Sequence, residues 1–164
     1  ILIVIQWNYK TWDLIEKWDK MWFIRKINTL FTEVEEFNWT RFFIPNIQFI
    51  EEEVSNIYAN DKKRLDFDIE LFRDTDLLKV KKVVANVLDS FPNVLKAPEH
   101  QVWITDFWDS SIKVRILFWV NSKDKLFIIK SNVFETVNLA FKQSWIKVAY
   151  PHLIINNLPS QIQN

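Results

Sequence analysis

A chain of 164 residues with 49% apolar side chains can build one large domain or two small ones with cores of their own. Its 21 basic and 21 acidic residues cancel, so no global field draws it to nucleic acid or an anionic membrane, and the lack of cysteine excludes disulfides and thiolate metal sites. Glycine is absent as well, where ordinary usage of about 7% would supply roughly eleven or twelve.

The first five residues, ILIVI, are wholly apolar, but the run stops at Gln6, far short of the roughly 20 residues that cross a bilayer. Two readings stay open: a buried strand, or the end of a hydrophobic helix that begins upstream. A start at Ile1 rather than Met fits a fragment. No basic region, apolar core and cleavage site combine into a secretory signal.

From Trp12 to Ile57 come short extended segments rich in β-branched and aromatic residues: DLIE, FIRKINTL, TEVEEF, TRFFI and VSNIY. Strands this short, separated by turn signals, predict a small antiparallel β barrel or sandwich of the Sm-like kind. Within TEVEEFNWTRFFI, Asn38-Trp39 fills the two-residue slot where Asn-Gly is the strongest hairpin signal. Pro45 ends that run, since it cannot donate to a sheet ladder. The acidic run Glu51-Glu52-Glu53 reads as a solvated face rather than a cation site.

ANDKKR, Ala59 to Arg64, reads as a linker. RLDFDIEL then alternates strictly, with Leu65, Phe67, Ile69 and Leu71 on one face and Asp66, Asp68 and Glu70 on the other, which predicts a half-buried strand. Leu77, Val80, Val84, Val87 and Phe91 recur at helical spacing, with Thr75 as the expected N-cap and Pro92 as the stop. QVWITDF and SIKVRILFWV read as strands joined by WDS. A second helix is expected from about Lys125 to Ser144, with Leu126, Ile129, Val133, Val137 and Ala140 inward, then a short strand IKVAY closed by Pro151. Strand, helix, strand, strand, helix, strand is the ferredoxin-like order. The expected class is therefore α+β, with a β domain over 7–58, a linker over 59–64, an αβ domain over 65–151 and a frayed tail over 152–164.

On this map the nine tryptophans divide. Trp103 and Trp119 lie inside expected strands, where aromatic residues are favoured. Trp12, Trp18, Trp22, Trp39 and Trp108 fall at turns or strand starts, and Trp145 falls just past a helix, where glycine commonly supplies a left-handed residue. Trp7 has no assignment. A residue with a Cβ costs about 1–2 kcal/mol in the left-handed region, so six would cost roughly 6–12 kcal/mol against a domain stability of about 5–15 kcal/mol. These six positions are therefore expected to be glycine in the natural protein, encoded by UGA, which some bacteria decode as glycine and others as tryptophan. The abundance of Ile, Lys, Asn and Phe, all with AT-rich codons, fits such a source, and deliberate substitution is the alternative.

With glycine at those sites, YKTWDLIEKWDKMWFIRKI resembles a stretch of the small-conductance mechanosensitive channels, the MscS family. There an apolar pore helix is followed by an aromatic, a basic residue, Gly-Asp, a strand and two further glycines. NWTRFFIPN resembles that family's Asp-Gly hairpin leading to Ile-Pro-Asn. LLKVKKVVANVLDSFPNVLKAPEHQVWITDFWDSSIKVRILFWV is similar to its cytoplasmic αβ domain, and AFKQSWIKVAYP looks like its closing segment. The resemblance runs from about Ile1 to Pro151. Asn8 departs from it, since many members carry proline after the pore helix.

The resemblance implies a homoheptameric channel of the cell's inner membrane that opens under bilayer tension and releases ions and small osmolytes in hypo-osmotic shock. Residues 1–6 would end the pore-lining helix, and the rest would form the cytoplasmic vestibule. Subunits would associate through the β domain and the C-terminal strand, and the lipid bilayer would be met by helices upstream.

Enzyme chemistry is not expected. The two histidines, His100 and His152, sit beside proline-bearing loops and give Ser110 or Ser111 no evident partner. Asp106 and Asp109 flank the Phe-Trp turn and read as turn caps rather than paired acids. No residues have metal-ligand spacing and no phosphate-binding loop is present, so no catalytic, metal or cofactor-binding residue and no cofactor is assigned. The alternative function is a soluble nucleic-acid-binding module of Sm-like plus ferredoxin-like domains, with strand Trp or Phe stacking on bases. Against it, SIKVRILFWV lacks the aromatic and glycine pattern of an RNA-recognition strand, and a neutral chain has no basic groove.

Overall fold

A computed structural model of the chain describes residues 8–17 and 19–149. The expectations for 1–7, for Trp18 and for 150–164 lie outside the described residues.

The N-terminal half forms strands β1 (Leu14–Lys17), β2 (Lys20–Ile27), β3 (Phe31–Glu35), β4 (Arg41–Pro45) and β5 (Ser55–Asn56), with one helical turn α1 (Gln48–Glu51) before β5. They make one antiparallel five-stranded sheet in the order β4-β3-β2-β1-β5. Alternation along each strand sends successive residues to opposite faces. Ile15, Trp22, Ile24 and Val34 therefore share a small core with Phe49 of α1, while Leu14 points the other way into the larger core of the second half.

Two expectations need correction here. The β3–β4 connection is a three-residue loop, Phe37-Asn38-Trp39, because the Glu36 N–H donates to the Thr40 carbonyl at 2.9 Å and extends the pairing. Trp22 is not at a turn but inside β2, opposite Ile15, and is buried.

The second half runs β6 (Lys62–Phe72), α2 (Leu77–Ser90), β7 (Gln101–Phe107), β8 (Ser111–Asn121) and α3 (Leu126–Gln143), with sheet order β6-β8-β7. β6 already begins at Lys62, so the polar stretch Ala59–Arg64 supplies strand as well as turn. After α3 the chain returns to the free edge of β6: Val148 bridges Leu71 antiparallel, and the Ala149 N–H donates to the Glu70 carbonyl at 2.8 Å. Within the described residues the expected last strand is this single bridge. Its place beside β6 is nevertheless the ferredoxin-like topology.

The N-cap of α2 is Asp76, not Thr75. Its carboxylate accepts from the N–H groups of Leu78 (2.9 Å) and Lys79 (3.2 Å), two donors that the first turn leaves unpaired. α3 buries Leu126, Ile129, Val133 and Val137 as their spacing predicts, but Phe141 rather than Ala140 completes its inner stripe. Both helices pack on one face of the β6-β8-β7 sheet, against Phe67, Ile69, Leu71, Ile112, Val114, Ile116, Phe118 and Val120. Leu14 and Ile57 of the first half belong to the same cluster, so the two halves share a core.

Candidate functional site

The residues weighed for catalysis are not brought together. His100 precedes β7 while Ser110 closes the β7–β8 hairpin, so the two lie at opposite ends of a seven-residue strand, about 20 Å apart at roughly 3.3 Å per residue. Ser111 is buried at the start of β8. Asp106 lies next to the end of β7, and Asp109 is exposed, its backbone carbonyl accepting from Arg73 at 3.5 Å. Among the described residues no three His, Asp or Glu side chains could hold a metal, and no helix is long and apolar enough to cross a membrane.

What the structure offers instead is surface. β4 is the outer strand of its sheet, so among the described residues one side of its backbone lacks a strand partner. Its two phenylalanines point to opposite faces, and both are exposed. Phe43 lies edge-on to Phe31 of β3, with ring centroids 5.5 Å apart, and Leu30, Ile47 and Ile50 add exposed apolar area in the flanking turns. This apolar edge ends in a charged clamp. Glu35, 4% exposed, is matched by Arg41 at 3.0 Å and Arg25 at 3.6 Å, and Arg41 also reaches Glu33 at 2.9 Å. The hydrogen bond to Glu35, then the charge of Glu33, holds the Arg41 guanidinium above its ordinary pKa. Strands β2, β3 and β4 are thus cross-linked by charge on the same face that carries Phe43.

A cavity of about 400 Å³ lies between the two halves, lined mainly by Leu14, Phe23, Phe37, Tyr58, Leu126 and Phe127, with Lys123, Asp124 and Lys125 contributing the polar part. Phe37, in the β3–β4 loop, stacks edge-on against both Phe23 (5.1 Å) and Phe127 (6.0 Å). One aromatic side chain therefore connects the first sheet to the start of α3. Burial raises the Tyr58 phenol above its ordinary pKa.

The face of the β6-β8-β7 sheet away from the helices is charged. Arg115 of β8 pairs bidentately with Asp68 of β6, and Lys113 approaches the same carboxylate at 3.5 Å. Hydrogen bonding from Arg115 is the first cause that holds the Asp68 carboxyl below its ordinary pKa. Balanced pairs leave this face close to neutral.

The β4 edge and the Arg25–Glu35–Arg41 clamp were not singled out from sequence, although one signal was present. Two successive phenylalanines in a strand cannot both face one core, so Phe42-Phe43 places a ring on each face of the sheet, each needing a cover of its own. The clamp depended on the register between β2, β3 and β4, which no local pattern gives.

Comparison with known proteins gives relatives of this fold. A family model described as the C-terminal part of the mechanosensitive ion channel MscS matches residues 65–148. The small-conductance mechanosensitive channel MscMJ of Methanocaldococcus jannaschii is 23% identical over 135 residues, which cover 78% of this chain and 37% of that protein. The small-conductance mechanosensitive channel of Helicobacter pylori is 22% identical over 155 residues, covering 94% of this chain and 57% of that one. The chain thus spans about half or less of the length of such relatives. The crystal structure of Helicobacter pylori MscS in its closed state superposes with a TM-score of 0.83 at 21% identity, over 94% of this chain and 61% of that one. The family model covers half of the chain, the charged sheet and both long helices included: this chain belongs to the MscS family of mechanosensitive channels.

Proposed function

We propose that this chain is the cytoplasmic vestibule portion of a mechanosensitive channel, working as a homoheptamer in the inner membrane and releasing ions and small osmolytes on hypo-osmotic stress. The observation that carries the reading is the family membership, joined to a fold likeness that runs through the β domain as well as the αβ domain. The relatives whose names state a function are channels, and none is a nucleic-acid binder.

The physical form suits the role. A vestibule has no bond to break; it has to hold its shape around a permeation path and meet its neighbours. A shared core gives rigidity, neutral charge suits a weakly selective route, and the apolar β4 edge is a surface that a neighbouring subunit would cover. In this reading the segment lies on the cytoplasmic side, and tension is sensed by membrane helices upstream.

The test is functional. The complete gene, including whatever precedes Ile1, is expressed in bacteria stripped of their own mechanosensitive channels, which are then moved abruptly to dilute medium. Rescue of survival, with tension-activated currents in excised patches, is expected. Cells that lyse although the protein reaches the membrane would refute the channel reading.

A further inference from the structure

Among the described residues four backbone positions hold the left-handed conformation that a side chain opposes, and three of them are tryptophan. Among the described residues the positive φ values are those of Trp12 (76°), Trp39 (69°), Trp145 (57°) and Asp19 (61°). Asp19 is of a type that tolerates the left-handed region through its short polar side chain, whereas a bulky residue there is an outlier.

Each tryptophan sits where hydrogen bonding fixes the backbone independently of the side chain. The Asp13 N–H donates to the Lys10 carbonyl at 3.0 Å, closing a four-residue turn with Trp12 third, the position where a type II turn calls for glycine. The Trp39 N–H donates to the Glu36 carbonyl at 3.0 Å, and the Glu36 N–H to Thr40 at 2.9 Å. That is a three-residue hairpin loop whose last residue is left-handed. Past α3, the Trp145 N–H donates to Lys142 at 3.2 Å and the Ile146 N–H to Phe141 at 2.9 Å, a Schellman closure with residue 145 at the left-handed position.

The indoles return little for this strain, since Trp12 is 59% exposed, Trp39 75% and Trp145 90%. The Arg25 guanidinium lies 3.8 Å over the Trp12 ring and offsets part of the strain, but Arg25 also pairs with Glu35. A different anomaly marks position 22. Trp22 is buried, and its Nε1–H has no acceptor among the described residues, although buried indole donors ordinarily find one. Trp103 and Trp119, in β7 and β8, show neither fault.

We propose that positions 12, 39 and 145 carry glycine in the living cell, decoded from UGA codons, and that position 22 belongs with them on the separate ground of its orphaned indole. A chain that otherwise lacks glycine altogether is then accounted for by one decoding rule. Trp108 is not included, because its φ is not positive and its N–H pairs normally with the Ser111 carbonyl. The proposal does not depend on the channel reading.

Tandem mass spectrometry of peptides spanning positions 12, 22, 39 and 145, from protein purified out of its source cells, decides the matter. Glycine is expected at all four, and tryptophan at any of 12, 39 or 145 overturns the proposal. On recombinant chain, Trp→Gly and Trp→Ala variants are compared at positions 12, 39 and 145, since alanine removes the indole but keeps the Cβ. The glycine variant is expected to melt about 2–8 °C above the alanine variant at each position. Equal melting at all three would remove the backbone ground and the assignment with it.

Discussion

Arg115 faces Asp68 directly across the β8–β6 pairing and holds it at both ends, Nε to Oδ1 at 2.7 Å and Nη2 to Oδ2 at 2.8 Å. A bidentate guanidinium–carboxylate pair is stronger and more directional than a single contact, and here it locks two strands whose inner faces carry the main core. A register slip of one residue would turn that core to solvent. The pair thus marks the register that the apolar alternation of β6 already favours.

Asp68→Asn keeps shape and loses the charge. The carboxylate is about a quarter exposed, so the pair is screened, and the expected loss is about 1 kcal/mol. The pH dependence follows from the sign of the shift. Asp68 is depressed in the folded chain, so its contribution is full above its ordinary value of 3.8 and fades as pH falls through the lower folded value. Urea midpoints of the two proteins should differ near neutrality and converge in acid below that range. A difference that persists or grows in acid would mean that the carboxylate charge is not the source.

Asn46, 1% exposed, is the hub of the β2–β3 turn. Its side-chain oxygen accepts from Thr32 Oγ1 at 2.8 Å, and its amide donates to the carbonyls of Asn28 (2.7 Å) and Thr29 (3.1 Å). Asn46→Ala leaves the buried Thr32 hydroxyl and two carbonyls without this partner, a loss of about 2–3 kcal/mol. Asn46→Asp should recover little, because a carboxylate cannot donate to those carbonyls. Equilibrium unfolding with an alanine variant within a few tenths of wild type would show that water replaces the amide.

The start of α2 separates what a pattern in sequence conveys from what it does not. Helical spacing of Leu77, Val80, Val84 and Val87 located the helix, and strict alternation in RLDFDIEL located β6, because burial on one face imposes a period. Thr75 and Asp76 are both acceptable caps by residue type. Only the backbone decides, and it gives Asp76 two N–H donors. Asp76→Ala is therefore expected to cost about 1 kcal/mol in thermal or chemical unfolding, whereas Thr75→Ala should cost a few tenths at most. The reverse order would move the cap. The same division holds for the tryptophans. Turn propensity picks out positions 12, 39 and 145, where φ is positive, but it does not place position 22, which lies inside β2 with strand partners on both sides and is set apart by its unpaired indole instead.

Phe43 carries the prediction most closely tied to assembly. It is 63% exposed on a strand with a free edge, beside Phe31 at 40%, and an apolar pair of this kind on a monomer is a candidate contact. Arg41 and Glu33, two places away on either strand, would rim such a contact with charge that stays partly wet. Replacing Phe43 by lysine puts an ammonium into that contact at a side chain that is mostly exposed and belongs to neither buried core. In the full-length protein, purified in detergent, Phe43→Lys should weaken association about tenfold or more, seen as a fall in mass by light scattering on dilution. Phe107→Lys, at the exposed end of β7, serves as a control for adding charge at another exposed phenylalanine. If both variants hold the wild-type mass at every concentration, subunits meet elsewhere, and the aromatic edge of β4 is not the seam between them.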